Sequence, residues 1–280
     1  MITRASGLVR PTIFGILNMT EDSFSDGGRY LASEAALEHA RVLVGEGADV
    51  LDIGAAASNP DAKPVPSDVE IARLAPIVAA LKADSIPVSV DSFSPEVQRW
   101  AIGEEVEYLN DVRGFSHPDL YPALAASATK LIVMHSVQSG DRLVPVDISP
   151  DDIFDRCRCF FEGRIGALVG AGISETRLVL DPGMGLFLGS NPEASFTMLR
   201  RIFDLKQSFG LPVLISVSRK SFLRRLIGRS PEQAGAASLA AELFAAQQGA
   251  DGIRTHEPRP LRDALTVWRA CAHETDRNVP

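Results

Sequence analysis

Short β-branched apolar runs recur along the chain, each closing on a polar or charged residue and each followed by a longer stretch with helical periodicity. The runs occupy 12–18, 50–54, 88–91, 108–111, 131–135, 178–181, 213–218 and 252–254, with ends 20 to 46 residues apart. That is the rhythm of repeated βα units. The runs are continuously apolar, without strict alternation, so both faces are buried, as in a parallel sheet. Eight of them predict a single (β/α)₈ barrel, with a doubly wound sheet as the main rival. Helical patterns fill 32–46, 69–82, 95–102, 151–169, 194–209, 231–248 and 261–272. Gly47, Gly172, Gly210 and Gly249 follow four of them, as C-terminal caps should. No linker or composition shift divides the chain. The barrel is expected over 12–272, after a short extension at 1–11 and before a polar tail at 273–280 that is expected to fray.

Composition narrows the class. With 280 residues, 45% hydrophobic and 23% charged, the chain can bury a large core, which excludes a disordered or disulfide-stapled protein. A net charge of −8 with scattered basic residues argues against nucleic acid, whose binders neutralise phosphates with a basic face. Neither a bilayer-spanning apolar run nor a secretory pattern at the N-terminus is present, so no membrane partner is expected and the cytoplasm is the expected compartment. Cys157, Cys159 and Cys271 are odd in number and lack metal spacing, so they read as inert thiols.

In a barrel, the C-terminal ends of the strands share one mouth. Asn18, Asp52, Asp91, Asn110, Asp111, His135, Asp181, Ser218, Arg219, Lys220, Arg254 and His256 all fall at or just beyond strand ends. Capping explains one such residue easily and eight strands of them poorly. Acids and amides follow strands 1 to 6. Cations, in Ser218-Arg219-Lys220-Ser221 and Arg254-Thr255-His256, follow strands 7 and 8, where barrels most often bind phosphate. The expected substrate has an anionic phosphate end and an N–H-donating end, for which Asp91, Asp181 and Asn110 are acceptors. Asp52 and Asp111 read equally well as structural. His135 is either a ligand contact or a core histidine satisfied by backbone. Lys220 could form a Schiff base, but its flanking Arg219 and Ser221 suit an anion clamp better. Gly27-Gly28, after Asp22-Ser23-Phe24-Ser25-Asp26, reads as a hinged loop over the mouth.

Taken together, Phe14-Gly15-Ile16-Leu17-Asn18-Met19-Thr20, Asp22-Ser23-Phe24-Ser25-Asp26-Gly27-Gly28, Ser89-Val90-Asp91, Asn110-Asp111-Val112, Val133-Met134-His135, Asp181-Pro182-Gly183-Met184-Gly185, Ser218-Arg219-Lys220-Ser221 and Arg254-Thr255-His256 resemble the dihydropteroate synthase family, in order and spacing. The resemblance implies a (β/α)₈ barrel and a transferase that joins 4-aminobenzoate to 6-hydroxymethyl-7,8-dihydropterin diphosphate. It implies that Asp91, Asn110 and Asp181 hold the pterin, with Lys220 near the ring carbonyl and N5. Asn18, Arg254 and His256 would hold the diphosphate, with Thr255 between the last two, and Asn18 would also touch Mg²⁺. Lys220, Asp91, Arg254 and His256 would be catalytic. Asp22 and Phe24 would close over the site and form the aminobenzoate pocket; Phe187, Ser58 and Ser221 would be further substrate-binding residues, Ser221 as part of the grip on the diphosphate. A homodimer through outer helices late in the barrel is also implied.

Departures from the family pattern gather near the second substrate. The usual Gly-Glu-Ser-Thr-Arg-Pro after strand 2 is here Ala55-Ala56-Ala57-Ser58-Asn59-Pro60, which loses an acid and an arginine but keeps the Ser58 hydroxyl. The usual Gly-Phe-Gly-Lys after strand 6 is here Gly185-Leu186-Phe187-Leu188-Gly189. These features are similar to the sulfonamide-insensitive, Sul-type branch, and they imply that Phe187, Leu188 and the altered second loop reshape the aminobenzoate pocket. Two alternatives stand beside the synthase: a pterin-binding methyltransferase domain, and a pterin-binding protein without catalysis.

Overall fold

The computed structural model describes residues 10–19, 29–56, 65–137 and 146–272. Eight strands, β1 (Thr12–Asn18), β2 (Val50–Gly54), β3 (Val88–Asp91), β4 (Tyr108–Asp111), β5 (Lys130–Met134), β6 (Leu178–Asp181), β7 (Leu214–Ile215) and β8 (Gly252–Thr255), form one sheet in the order β6-β5-β4-β3-β2-β1-β8-β7. Every pairing is parallel, and a bridge between Leu180 and Val213 joins the ends, so the sheet closes into the expected barrel rather than a doubly wound sheet. The extension at 1–9 and the tail at 273–280 lie outside the described residues.

The helices are α1 (Arg29–Gly45), α2 (Ser67–Ala83), α3 (Pro95–Gly103), α4 (Tyr121–Ala126), α5 (Ile153–Gly170), α6 (Pro192–Arg200), α7 (Ile202–Phe209), α8 (Ser221–Ile227), α9 (Gly235–Gln247) and α10 (Pro258–Ala272). Two expected helices are divided or shortened. The 194–209 pattern breaks at Arg201, which leaves helical backbone (φ −105°, ψ 9°) and lays its guanidinium 3.8 Å over the Phe154 ring of α5. The 231–248 pattern opens with a separate turn, Pro231–Gln233, before α9 begins. Both α4 and α8 are too short to show a helical period. The strand expected at 213–218 is hydrogen-bonded as a strand only at Leu214–Ile215, because the chain turns toward a left-handed residue, Arg219 (φ 58°).

Strand alternation sorts the side chains into two layers. Ile13, Leu17, Leu51, Ile53, Val88, Val90, Leu109, Leu131, Val133, Leu178, Leu180, Val213, Ile215 and Ile253 belong to one large buried cluster, which also holds Leu74, Ile77, Val97, Phe161, Leu205, Ala245 and Leu261 from the surrounding helices. Phe14, Val50, Ile132 and Leu214 form a second cluster with Tyr108 and Val179, at the floor of the barrel interior. Two residues farther along those same strands come Ile16, Asp52, Asn110, Met134, Asp181 and Ser216. The interior therefore changes from apolar to polar over one pleat, and the polar level faces the mouth.

Candidate active site

The mouth holds a cavity of about 470 Å³ lined by Asn18, Asp91, Asn110, Asp181, Lys220 and Arg254, among others. Each sits where the alternation puts an inward side chain at a strand end, except Lys220. That residue follows the left-handed turn at Arg219, whose amide is held by Ser238 Oγ at 2.9 Å. A non-glycine residue held at positive φ is a locally strained backbone of the kind that clusters at functional sites. Here the turn lets Arg219, Lys220 and Ser221 all reach the cavity.

The floor is a charge network. Arg254 Nε donates to Asp52 Oδ2, and Arg254 Nη2 donates to Asp91 Oδ2 at 2.9 Å. Fully buried Asp52 also accepts from Ser89 Oγ and, at 3.4 Å, from Asn110 Nδ2. Asp52 does not line the cavity. It fixes two groups that do, which settles its role as the structural reading had it. Burial works against the Arg254 charge, yet the Asp52 and Asp91 carboxylates hold its pKa above the ordinary value. Burial lifts Asp91 to about 7 against the pull of Arg254, with Asp52, Glu70 and Asp111 adding repulsion. Burial likewise lifts Asp181 to about 6, although Gly183 N–H donates to its Oδ1 at 2.7 Å. Lys220 falls to about 8, first through burial and then through Arg254, with Asp181 and Asp91 opposing.

Two buried oxygens on the wall are left over, Asn110 Oδ1 and the Ser216 hydroxyl, and only the first can do nothing but accept. Asn110 is 3% exposed, and its Oδ1 has no hydrogen-bond partner among the described residues. A buried acceptor without a donor is costly, so this atom is matched to an N–H that a ligand brings. With the Asp91 and Asp181 carboxylates it forms an acceptor row, and the cations Lys220, Arg219, Arg224 and Arg254 line the same cavity.

Other sequence expectations fall elsewhere. Asp111 points outward, accepting from Gln98 Nε2 and from the backbone amides of Arg113 and Phe115, and so shapes the loop after β4. His135 is a core histidine: its Nδ1–H donates to the Pro182 carbonyl at 3.0 Å, Phe160 packs edge-on against it, and burial lowers its pKa to about 4. Its carbonyl lies where a Cβ at Gly183 would stand 2.4 Å away, and Gly183 has φ 73°, so only glycine fits there. Thr255 is fully buried and outside the cavity wall, because its position on β8 alternates with inward Arg254; its Oγ1 accepts from the Glu257 amide at 3.2 Å, on the side of Glu242 of α9. His256 also stands off the wall, where Ser218 Oγ meets both its amide (3.3 Å) and its Nδ1 (2.9 Å). Burial, followed by Arg219, Arg254 and Lys220, lowers its pKa to about 3, so the ring is neutral. Phe187 lines the cavity with the Lys220 ammonium 5.0 Å from its ring centre. Leu188 is turned fully into the core, and Leu186 takes its place on the wall. Asp22, Phe24 and Ser58 lie outside the described residues.

Among the described residues, no three His, Cys, Asp or Glu side chains cluster to bind a metal. Asn18 lines the cavity at the end of β1, with a side-chain amide that can offer one oxygen. A single oxygen donor fits Mg²⁺ that is carried mainly by substrate phosphates and water.

The comparisons with known proteins agree with this geometry. The family model described as "Pterin binding enzyme" matches residues 14–256. Dihydropteroate synthase type-2 of Escherichia coli is 61% identical over 260 residues, covering 92% of this chain and 95% of that protein. Dihydropteroate synthase type-3 of Escherichia coli is 49% identical over 258 residues, covering 92% and 98%. Among solved structures, Xanthomonas albilineans dihydropteroate synthase with 4-aminobenzoic acid superposes with a TM-score of 0.85 at 39% identity, covering 98% of this chain and 95% of that one. Burkholderia cenocepacia dihydropteroate synthase complexed with 7,8-dihydropteroate gives a TM-score of 0.86 at 33% identity, covering 96% and 94%. The outward turn of the core into an acceptor row, the cations around it and these relatives lead to one assignment: the chain belongs to the dihydropteroate synthase family of pterin-binding enzymes.

Proposed function

We propose that this barrel condenses 4-aminobenzoate with (7,8-dihydropterin-6-yl)methyl diphosphate to give 7,8-dihydropteroate and diphosphate. The observation that carries the reading is the buried, unpartnered Asn110 Oδ1 set between the Asp91 and Asp181 carboxylates, opposite Lys220 and Arg254. An amino-pyrimidinone edge offers the N–H donors this row needs, and Lys220 can donate to the ring carbonyl and N5. In the reaction, the bond from the pterin methylene carbon to the diphosphate oxygen breaks, and its electron pair leaves with the diphosphate. The arylamine nitrogen then bonds to the methylene carbon and releases a proton. Carboxylates beside the pterin favour the cationic carbon, and Arg254 favours the departing anion, so fixed charges do the catalytic work without a covalent intermediate on the protein. Asn18 would contribute one ligand to Mg²⁺, which when bound offsets diphosphate charge.

The finer parts of the reading concern the second substrate and the assembly. Phe187 and Leu186 narrow the wall beside Ser221, and we assign sulfonamide insensitivity to this steric change, since two similar arylamines are told apart by rejecting the larger. A homodimer is assigned to the outer face of the late helices. A diphosphate-release assay with both substrates and Mg²⁺, with and without sulfamethoxazole, tests reaction and resistance together. Release is expected in both arms. Its absence without drug refutes the synthase, and inhibition near the aminobenzoate KM refutes the resistance.

A further inference from the structure

The cavity's four cations are not equally engaged. Arg254 is clamped between Asp52 and Asp91. Lys220 is balanced electrostatically by Asp181 and Asp91. Arg219 also has a buried, unpartnered Nε, but its Nη2 lies 3.9 Å from Glu257, which gives it an ion-pair partner. Arg224 also lines the cavity, but its side chain makes no hydrogen bond or ion pair with a described residue, and its Nε is buried without a partner. Glu232, whose pKa is lowered by Ser230 and, more weakly, by Arg219 and Arg224, is exposed and accepts from Ser230 Oγ at 2.7 Å. A buried guanidinium nitrogen with no acceptor is unfavourable unless a ligand supplies one.

Position indicates what kind of ligand that is. Arg224 lies three residues after Ser221, one turn along the same face of α8, and its amide donates at 3.2 Å to the carbonyl of Lys220, the residue that caps the helix. The adjoining wall is apolar, made by Met184, Leu186 and Phe187. A flat aromatic ring would pack on that wall, and an anion at its far end would meet Arg224. A diphosphate has no use for such a wall. We propose that Arg224 anchors the carboxylate of the second substrate and so sets selectivity for an arylamine carrying a full negative charge. This rests on the synthase reading. A planar guanidinium suits a carboxylate because it can donate two parallel N–H bonds, from Nε and Nη.

The test compares 4-aminobenzoate with its neutral analogue 4-aminobenzamide, on wild type, Arg224→Met and Arg224→Lys. Arg224→Met should raise the KM for 4-aminobenzoate about tenfold or more, since a charged hydrogen bond is lost. Inhibition by 4-aminobenzamide and the KM for the pterin diphosphate should change less than about twofold. Arg224→Lys should fall between, keeping the charge but not the fork. Equal losses for acid and amide, or a rise in the pterin diphosphate KM instead, would overturn the proposal by assigning Arg224 to packing or to the diphosphate. An unchanged acid-to-amide ratio in an active variant also overturns it. A wild type that releases no diphosphate refutes the synthase reading, a separate outcome.

Discussion

Ionisation of three residues sets how the site responds to pH. Asp181 must be a carboxylate to accept N–H donors, and its pKa, raised by burial to about 6, puts an acid limb near there, with Asp91 following at about 7. Lys220 must be charged to donate, and burial with Arg254 lowers it to about 8, so activity falls again as pH rises through that value. The expected kcat/KM for the pterin diphosphate is a bell centred slightly above neutrality. Lys220→Arg should move the alkaline limb upward by more than a unit, whatever activity it retains, because guanidinium stays charged. A limb that stays near 8 in that variant would show that another group titrates there. Asp91 and Asp181 were legible in the sequence because each ends an apolar strand, where a charged residue needs a reason, and Lys220 because it stands in the Ser218-Arg219-Lys220-Ser221 run after the seventh strand. Asp52 was not decided by the same signal. It lies in the middle of β2, and only the pairing of β1 with both β2 and β8 brings it to Arg254, 202 positions away.

Elements show where local pattern stops being informative. Strand alternation placed Asp91, Asn110 and Asp181 inward, because one pleat separates them from buried apolar residues. Thr255 misled for the same reason: its neighbours in sequence are site residues, yet alternation turns it toward α9. There it meets Glu242, which is 2% exposed, with Oε1 unpartnered among the described residues and its pKa raised by burial to about 7. The sign follows from linkage. The folded state prefers protonated Glu242, so its contribution is full below the unfolded value near 4.5 and is lost as pH rises through about 7. Glu242→Gln keeps the shape of the side chain beside Thr255 and cannot ionise. Thermal melts should therefore show little change near pH 5 and a gain at pH 8, on the order of 2 kcal/mol. Equal shifts at both pH values would mean that Glu242 is not protonated in the folded barrel. Short helices such as α8, by contrast, have too few turns for periodicity to register, and the carboxylate anchor proposed for Arg224 was invisible for that reason.

At the scale of the whole molecule, no described helix is long and apolar enough to cross a membrane, and the barrel core is well covered. The outer face is less so. Leu226 (69% exposed) and Ile227 end α8, Phe244 lies on α9, and Val267 (63% exposed) and Trp268 lie on α10. Helix α9 packs against both α8 and α10, so these side chains belong to adjoining elements on one side of the barrel. Apolar side chains gathered this way are costly in water, and a second copy of the chain would cover them in a symmetric contact. The catalytic mouth is built within one chain, so association should support stability more than chemistry. The expected solution species is a dimer of the 30.1 kDa chain in sedimentation velocity. Leu226→Asp combined with Val267→Asp should convert it to a monomer, because two buried, unpaired carboxylates per subunit would oppose the contact. The monomer should keep its KM for the pterin diphosphate and melt at a lower temperature. A variant that stays dimeric would place the contact on another face, and a wild type that sediments as a monomer would leave these side chains to some other partner.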